Sequence, residues 1–213
     1  MGILESIEIS IKTNITYNIS NRHGADAHIK SDIFKNKELH SGFLKELDKE
    51  VYRNRKEAFV KHHKDKYEGK FPIWVIIELA SFGMVSRMYS NLIKEEQRII
   101  ARNWAGLDFK LLLGGLPNLA HVRNICAHYS KLYNRKINIL PKLHKKYNGY
   151  NIDKTKIFAS ILVIKEFTIK NNKVEWDMFQ IQLESLIEAY SDVVDLSLLG
   201  FDELKWKEIL DLK

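Results

Sequence analysis

The chain has one cysteine in 213 residues, so no intrachain disulfide can staple it. A reducing cytoplasm is the expected setting. Three prolines and ten glycines are too few for a collagenous or low-complexity chain, and no internal repeat is present. No apolar run approaches the roughly 20 residues of a membrane-spanning helix, and the first residues lack a signal-peptide pattern, so no membrane partner is expected. Equally absent are a glycine-rich phosphate loop, cysteine and histidine at zinc-ligand spacing, a carboxylate cluster and a serine with an evident base. Neither a metal nor an organic cofactor is expected.

A hydrophobic content of 45% with 11% aromatics is enough for a full core. A single domain over residues 1–213 is therefore expected. The formal charge of +7 and pI near 9.3 suit a polyanionic partner without identifying it. Isoleucines at 3, 7, 11, 15 and 19 recur every four residues and predict a helix despite their β-branching. Residues 21–41 read as a loop, with His23, His28 and His40 in solvent. A charged amphipathic helix is predicted over 43–67, and Pro72 opens a strongly apolar one over 73–92 that should form the buried centre. Glu78 falls inside that run. A buried carboxylate needs a partner, and Arg123 is the candidate. A short helix at 94–102, a cap at Asp108 and a break at Gly114-Gly115 come next. A motif helix over about 116–130, a long loop over 136–156 and helices at 157–168, 174–190 and 198–212 complete an all-α chain.

Residues 116–135, LPNLAHVRNICAHYSKLYNR, are where reactive side chains interrupt the helical pattern. Leu116, Leu119, Val122, Cys126 and Tyr129 form the predicted apolar stripe, with Pro117 in the first turn. Arg123, Asn124 and His128 lie off it. Asn124 and His128 share a face, but Arg123 and His128 are five apart and diverge by about 140°. Two arrangements would bring them to one small target: the helix frays near His128, or a second copy supplies the missing group across a two-fold axis. Further on, Lys131, Arg135, Lys136, Lys142, Lys145, Lys146, Lys154 and Lys156 are opposed by Asp153 alone and interleaved with Tyr133, Tyr147 and Tyr150. That mixture suits single-stranded RNA, through phosphate neutralisation and base stacking. Lys131, Tyr133, Asn134, Arg135, Lys142, Lys145 and Lys146 are the candidate substrate-binding residues.

The run RNICAH, Arg123 to His128, resembles the catalytic motif of HEPN-domain ribonucleases. Its continuation SKLYNR and the upstream FPIWVIIELASFGMVSRMYSNL at 71–92 look like the AbiD/AbiF branch of bacterial abortive-infection proteins. The resemblance spans residues 3 to about 140. The first helix is similar to one that in that family follows an N-terminal region, which the resemblance implies is missing here. An HEPN-like helical bundle with additional helices and a long basic loop is implied, as is a homodimer whose two Arg123/Asn124/His128 sets face each other. The implied role is growth arrest in phage defence, held off by an RNA or protein antitoxin.

RNA cleavage asks little of a protein, because the ribose 2′-hydroxyl is itself the nucleophile. Protons must move, and a dianionic pentacoordinate phosphate must be stabilised. Histidine, with a reference pKa near 6.5, suits the first task. Arginine, always charged and forked, suits the second, and the Asn124 amide can hold the phosphate or the imidazole. The expected function is a metal-independent endoribonuclease toxin that leaves a 2′,3′-cyclic phosphate and a 5′-hydroxyl. The alternative is a non-catalytic RNA-binding or regulatory module.

Overall fold

The five isoleucines spaced by four are all buried on one continuous helix, α1 (Gly2–His23), whereas Ile9, off the stripe, is 65% exposed. This computed structural model describes residues 2–212. Among them are ten α-helices and several short 3₁₀ turns, with no strand beyond an isolated bridge between Phe34 and Leu92. The fold is all-α. The chain divides into two compact units, Glu8–Trp104 and the pair of segments Met1–Ile7 and Ala105–Lys213.

Within Glu8–Trp104, α2 (Lys37–Arg53) is capped by Asn36, whose side chain accepts from Leu39 N, and α3 (Ala58–Lys66) follows after a turn. The single helix predicted over 43–67 is therefore two. Asn54 is the reason: it ends α2, and its Nδ2 donates to Glu50 O at 2.9 Å. The apolar helix predicted over 73–92 is likewise broken, into α4 (Ile73–Ile76), a 3₁₀ turn (Ile77–Leu79) and α5 (Phe82–Asn91). Ala80 is extended there, and the Ser81 hydroxyl caps α5 by accepting from Met84 N at 3.3 Å. Ile73, Ile76, Ile77, Ala80 and Phe82 all stay buried through the bend. Glu78 lands on the exposed side of the 3₁₀ turn. The desolvation that called for an Arg123 partner does not arise.

The loop histidines also differ from expectation. His28 and His40 are buried, at 5% and 4% exposure. His40 stacks on Phe34 at 4.1 Å with its Nε2 2.8 Å from His28 O, and burial pushes the His28 imidazole below its ordinary pKa. His23 is half-buried, 3.0 Å from the buried Glu96, which also accepts from Arg22 at 3.1 Å. Glu96 belongs to α6 (Lys94–Ala105), next to Gln97, whose amide donates to Tyr89 O while Tyr89 OH donates to Gln97 O. All three histidines serve the local packing rather than facing solvent.

In the second unit, α7 (Phe109–Ala127) runs unbroken through Gly114, Gly115 and Pro117, where a break was expected. Asp108 caps it by accepting from Lys110 N at 2.7 Å. The glycines are there for packing: a Cβ on Gly115 would overlap the Phe167 ring and stand 2.8 Å from Val163, both on α8 (Ile157–Thr168). Without a side chain at 115, α7 and α8 close on each other, and every residue from Phe158 to Thr168 is buried. α9 (Lys173–Ala189) follows, with Glu175 accepting from Ser6 at 2.9 Å. The helix predicted over 198–212 shrinks to a 3₁₀ turn (Leu196–Leu199), the left-handed Gly200 and α10 (Trp206–Asp211).

Candidate functional site

The end of α7 is closed by a Schellman motif. Tyr129 N donates to Cys126 O at 3.1 Å and Ser130 N to Ile125 O at 3.0 Å, with Tyr129 left-handed at φ 50°. That position usually takes glycine, and a side chain there costs about 1 kcal/mol. Tyr129 consequently leaves the predicted apolar stripe and is 99% exposed. Leu116, Leu119 and Val122 keep to it and are buried, while Cys126 is half-buried.

His128 occupies the C-cap, φ −93° and ψ 16°, with its backbone N donating to Asn124 O at 3.1 Å. Helical order thus stops at the histidine itself. Asn124 and His128 are exposed and Arg123 is half-buried. His121, half-buried three residues before Asn124, continues the same face. Its spacing of three from Asn124 and seven from His128 is the one sequence signal that places His121 on that face.

Beyond the helix the candidate residues divide. The turn at 131–135 is held by its own members: the Lys131 ammonium lies 5.7 Å from the Tyr133 ring centroid, and Arg135 donates to Lys131 O at 3.3 Å. Tyr133 OH accepts from Asp195 N at 3.2 Å, and Asn134, left-handed at φ 53°, accepts from Lys156 at 3.0 Å. Lys142 is exposed, but its backbone packs against Gly114. Fourteen residues at about 1.5 Å each place it about 20 Å along α7 from His128. Lys145 is exposed. Lys146 is committed elsewhere, 2.6 Å from Glu166 and 3.3 Å from Leu212 O.

The long loop is a loop, as predicted, yet it is pinned rather than loose. Ile137 is fully buried with its N donating to Thr155 O at 2.7 Å, and buried Asn118 on α7 donates to Ile139 O at 2.7 Å. Tyr147, expected among the stacking aromatics, is buried and donates to Glu166 at 2.6 Å. Burial and the Glu166 charge raise its phenol pKa far above the usual range. Tyr150 is half-buried and donates to Glu208 at 2.7 Å. Lys165 is buried beneath this segment, donates to Leu210 O and Leu212 O at 2.5 Å each, and has its pKa pulled down to about 8, chiefly by burial and then by Lys146.

Among the described residues no three His, Cys, Asp or Glu converge as a metal site, and no helix is long and apolar enough to cross a membrane. No curated protein and no solved structure matches the chain. A family model described as Abi-like protein matches residues 1–134, from α1 through the whole of α7 and its terminal Arg123, Asn124 and His128 to Asn134. By that match the chain belongs to the Abi-like protein family, a membership that points to a role in abortive infection.

Proposed function

We propose that the chain is a metal-independent endoribonuclease of HEPN type, acting as an abortive-infection toxin, with Arg123, Asn124 and His128 as its catalytic residues. What supports this most is the placement of Asn124 and His128, exposed at the point where α7 stops, inside the family-matched segment. In this reading the His128 imidazole takes the proton from a ribose 2′-hydroxyl while the 2′-oxygen attacks the adjacent phosphorus. The 5′-oxygen leaves with a proton from a second imidazole, that of a paired copy of the chain. Arg123 donates to the non-bridging oxygens as the phosphorane gains its second negative charge, and the Asn124 amide orients the phosphate. The products are a 2′,3′-cyclic phosphate and a 5′-hydroxyl, and an RNA or protein antitoxin holds the toxin in check. The exposed Lys131, Arg135 and Lys145 supply affinity for the strand.

The test is incubation of purified protein with total RNA, with sequencing of the ends formed by wild-type and His128→Ala protein. His128→Ala should lower cleavage on the order of 10²-fold or more, the usual loss for a proton-transfer group, with helical content unchanged because His128 is exposed. Wild-type protein that binds RNA without producing new ends would refute the cleavage and leave the RNA-binding module.

A further inference from the structure

The Glu8–Trp104 unit carries a cleft of about 600 Å³ between α3 and the start of α4. This lies within the range of small-molecule sites. Its walls are rich in aromatic rings. Trp74 and Tyr67 line it while remaining 50% and 53% exposed, and His62, His63 and Phe71 complete the wall. The rings support one another: His63 stacks on Phe71 at 5.1 Å and 17°, and Tyr67 lies 5.5 Å from His62 and 5.3 Å from His63.

The cleft is built rather than left over. Its rim is a turn in which Glu68 and Gly69 are both left-handed, at φ 56° and 74°, and Gly69 N donates to His63 O at 3.0 Å. Left-handed backbone at a glutamate costs free energy that a plain helix end would avoid. The floor is fixed by Ile73 N, which donates to Ala25 O at 2.8 Å. His63 Nδ1 lies 2.9 Å from Phe59 O, so in the neutral ring it carries the proton and Nε2 is left as an acceptor.

Charge selects among ligands with flat faces. The two carboxylates on the lining are already matched, Asp26 by Lys30 at 3.0 Å and Glu68 by Lys70 at 2.8 Å. Lys66 forms no ion pair among the described residues and is the surplus charge. An ammonium ligand would be repelled by that charge. A planar, hydrogen-bonding ring that carries a negative charge fits both features.

We propose that this cleft binds a nucleotide, stacking its base on the Trp74 and Tyr67 wall and meeting its phosphate with Lys66. The site lies wholly in the unit that lacks Arg123 and His128, so it stands whether or not those residues cleave RNA. The nucleotide comes either free from solution or as one residue of a single strand.

Calorimetry on the full chain separates these, with a purine and a pyrimidine nucleoside monophosphate, inorganic phosphate, and a 2′-deoxy single strand of about seven residues that 2′-hydroxyl chemistry cannot cut. The expected result is monophosphate binding that weakens at least fivefold in Trp74→Leu, the loss of one base–aromatic stack. Lys66→Gln should weaken it further and flatten its salt dependence. Both side chains are exposed, so unchanged circular dichroism shows that the variants fold. Binding of the oligonucleotide but not the monophosphates, with the same Trp74→Leu loss, assigns the base to a strand and also supports the site. The proposal is overturned if neither probe binds, if Trp74→Leu and Tyr67→Leu leave binding unchanged, or if inorganic phosphate binds as tightly as the nucleotides.

Discussion

Lys165 allows a quantitative test of how the C-terminal segment is held. The residue is 1% exposed and its pKa is about 8, against an ordinary 10.5. Below about pH 8 both folded and unfolded chains hold the proton, and the folded chain bears the full cost of a buried cation. Between pH 8 and 10.5 the folded chain releases the proton first, so the unfolded chain binds more protons and stability rises with pH. Above 10.5 both are neutral and the gain is complete. A 2.5-unit separation corresponds to about 3 kcal/mol at most, of which about 2 kcal/mol should appear between roughly pH 7.5 and 10. Other lysines and tyrosines titrate in the same window, so the measurement is a comparison. Urea midpoints of wild-type and Lys165→Met protein are read at both pH values. Losing the bonds to Leu210 O and Leu212 O shifts the variant at every pH, by about 1–3 kcal/mol for the acceptors left unsatisfied. The pH-dependent gain should shrink by about 2 kcal/mol in the variant. An identical pH response in the two proteins would refute the reasoning.

Other consequences can be measured as directly. Gly115→Ala gains about 1 kcal/mol of helix propensity but drives a methyl into Phe167 and Val163, an overlap worth up to about 3 kcal/mol, so a net loss of about 1–2 kcal/mol is expected in urea unfolding. Neutralising Lys136, Lys142 and Lys145 should flatten the slope of log K against log salt for single-stranded RNA by about 2, at about 0.7 per phosphate contact. An unchanged slope would mean that these lysines face solvent alone. Mixing Arg123→Ala with His128→Ala protein should restore partial cleavage if each phosphate draws its arginine and histidine from different chains; full activity in a monomer insensitive to added mutant would exclude a composite site.

Where the apolar period is unambiguous, patterning and structure coincide. The four-residue isoleucine repeat is α1, and the continuous apolar run at 157–168 is α8 to the residue. Failures arise where a local signal has two meanings that only a neighbour resolves. Gly114-Gly115 reads as a helix break in isolation and as a contact surface once Lys142 stands against Gly114, and Phe167 and Val163 against Gly115. Ser81 sits inside a run that reads as one apolar helix and is instead an N-cap, which is why the run at 73–92 bends and Glu78 reaches solvent. His28 and His40 lack any periodic signal, so their burial depends on the Phe34 ring and the carbonyl of His28, contacts invisible from spacing.

The candidate site shows the same divide in electrostatic terms. Counting charges makes the eight cations at 131–156 equivalent, and geometry sorts them by what they already bind. Lys146 is bound to Glu166, and the Lys156 ammonium reaches Asn134. Neither is available without giving up an existing contact, so Lys146→Gln should lower stability before it lowers affinity for RNA. Lys131 and Arg135 stay with the turn that follows His128, whereas Lys142 is set by Gly114 about 20 Å back along α7. A single phosphate cannot meet both groups. A strand held at His128 engages Lys142 only if it continues along the helix, and the contribution of Lys142 to affinity must then vanish for oligonucleotides too short to span that distance.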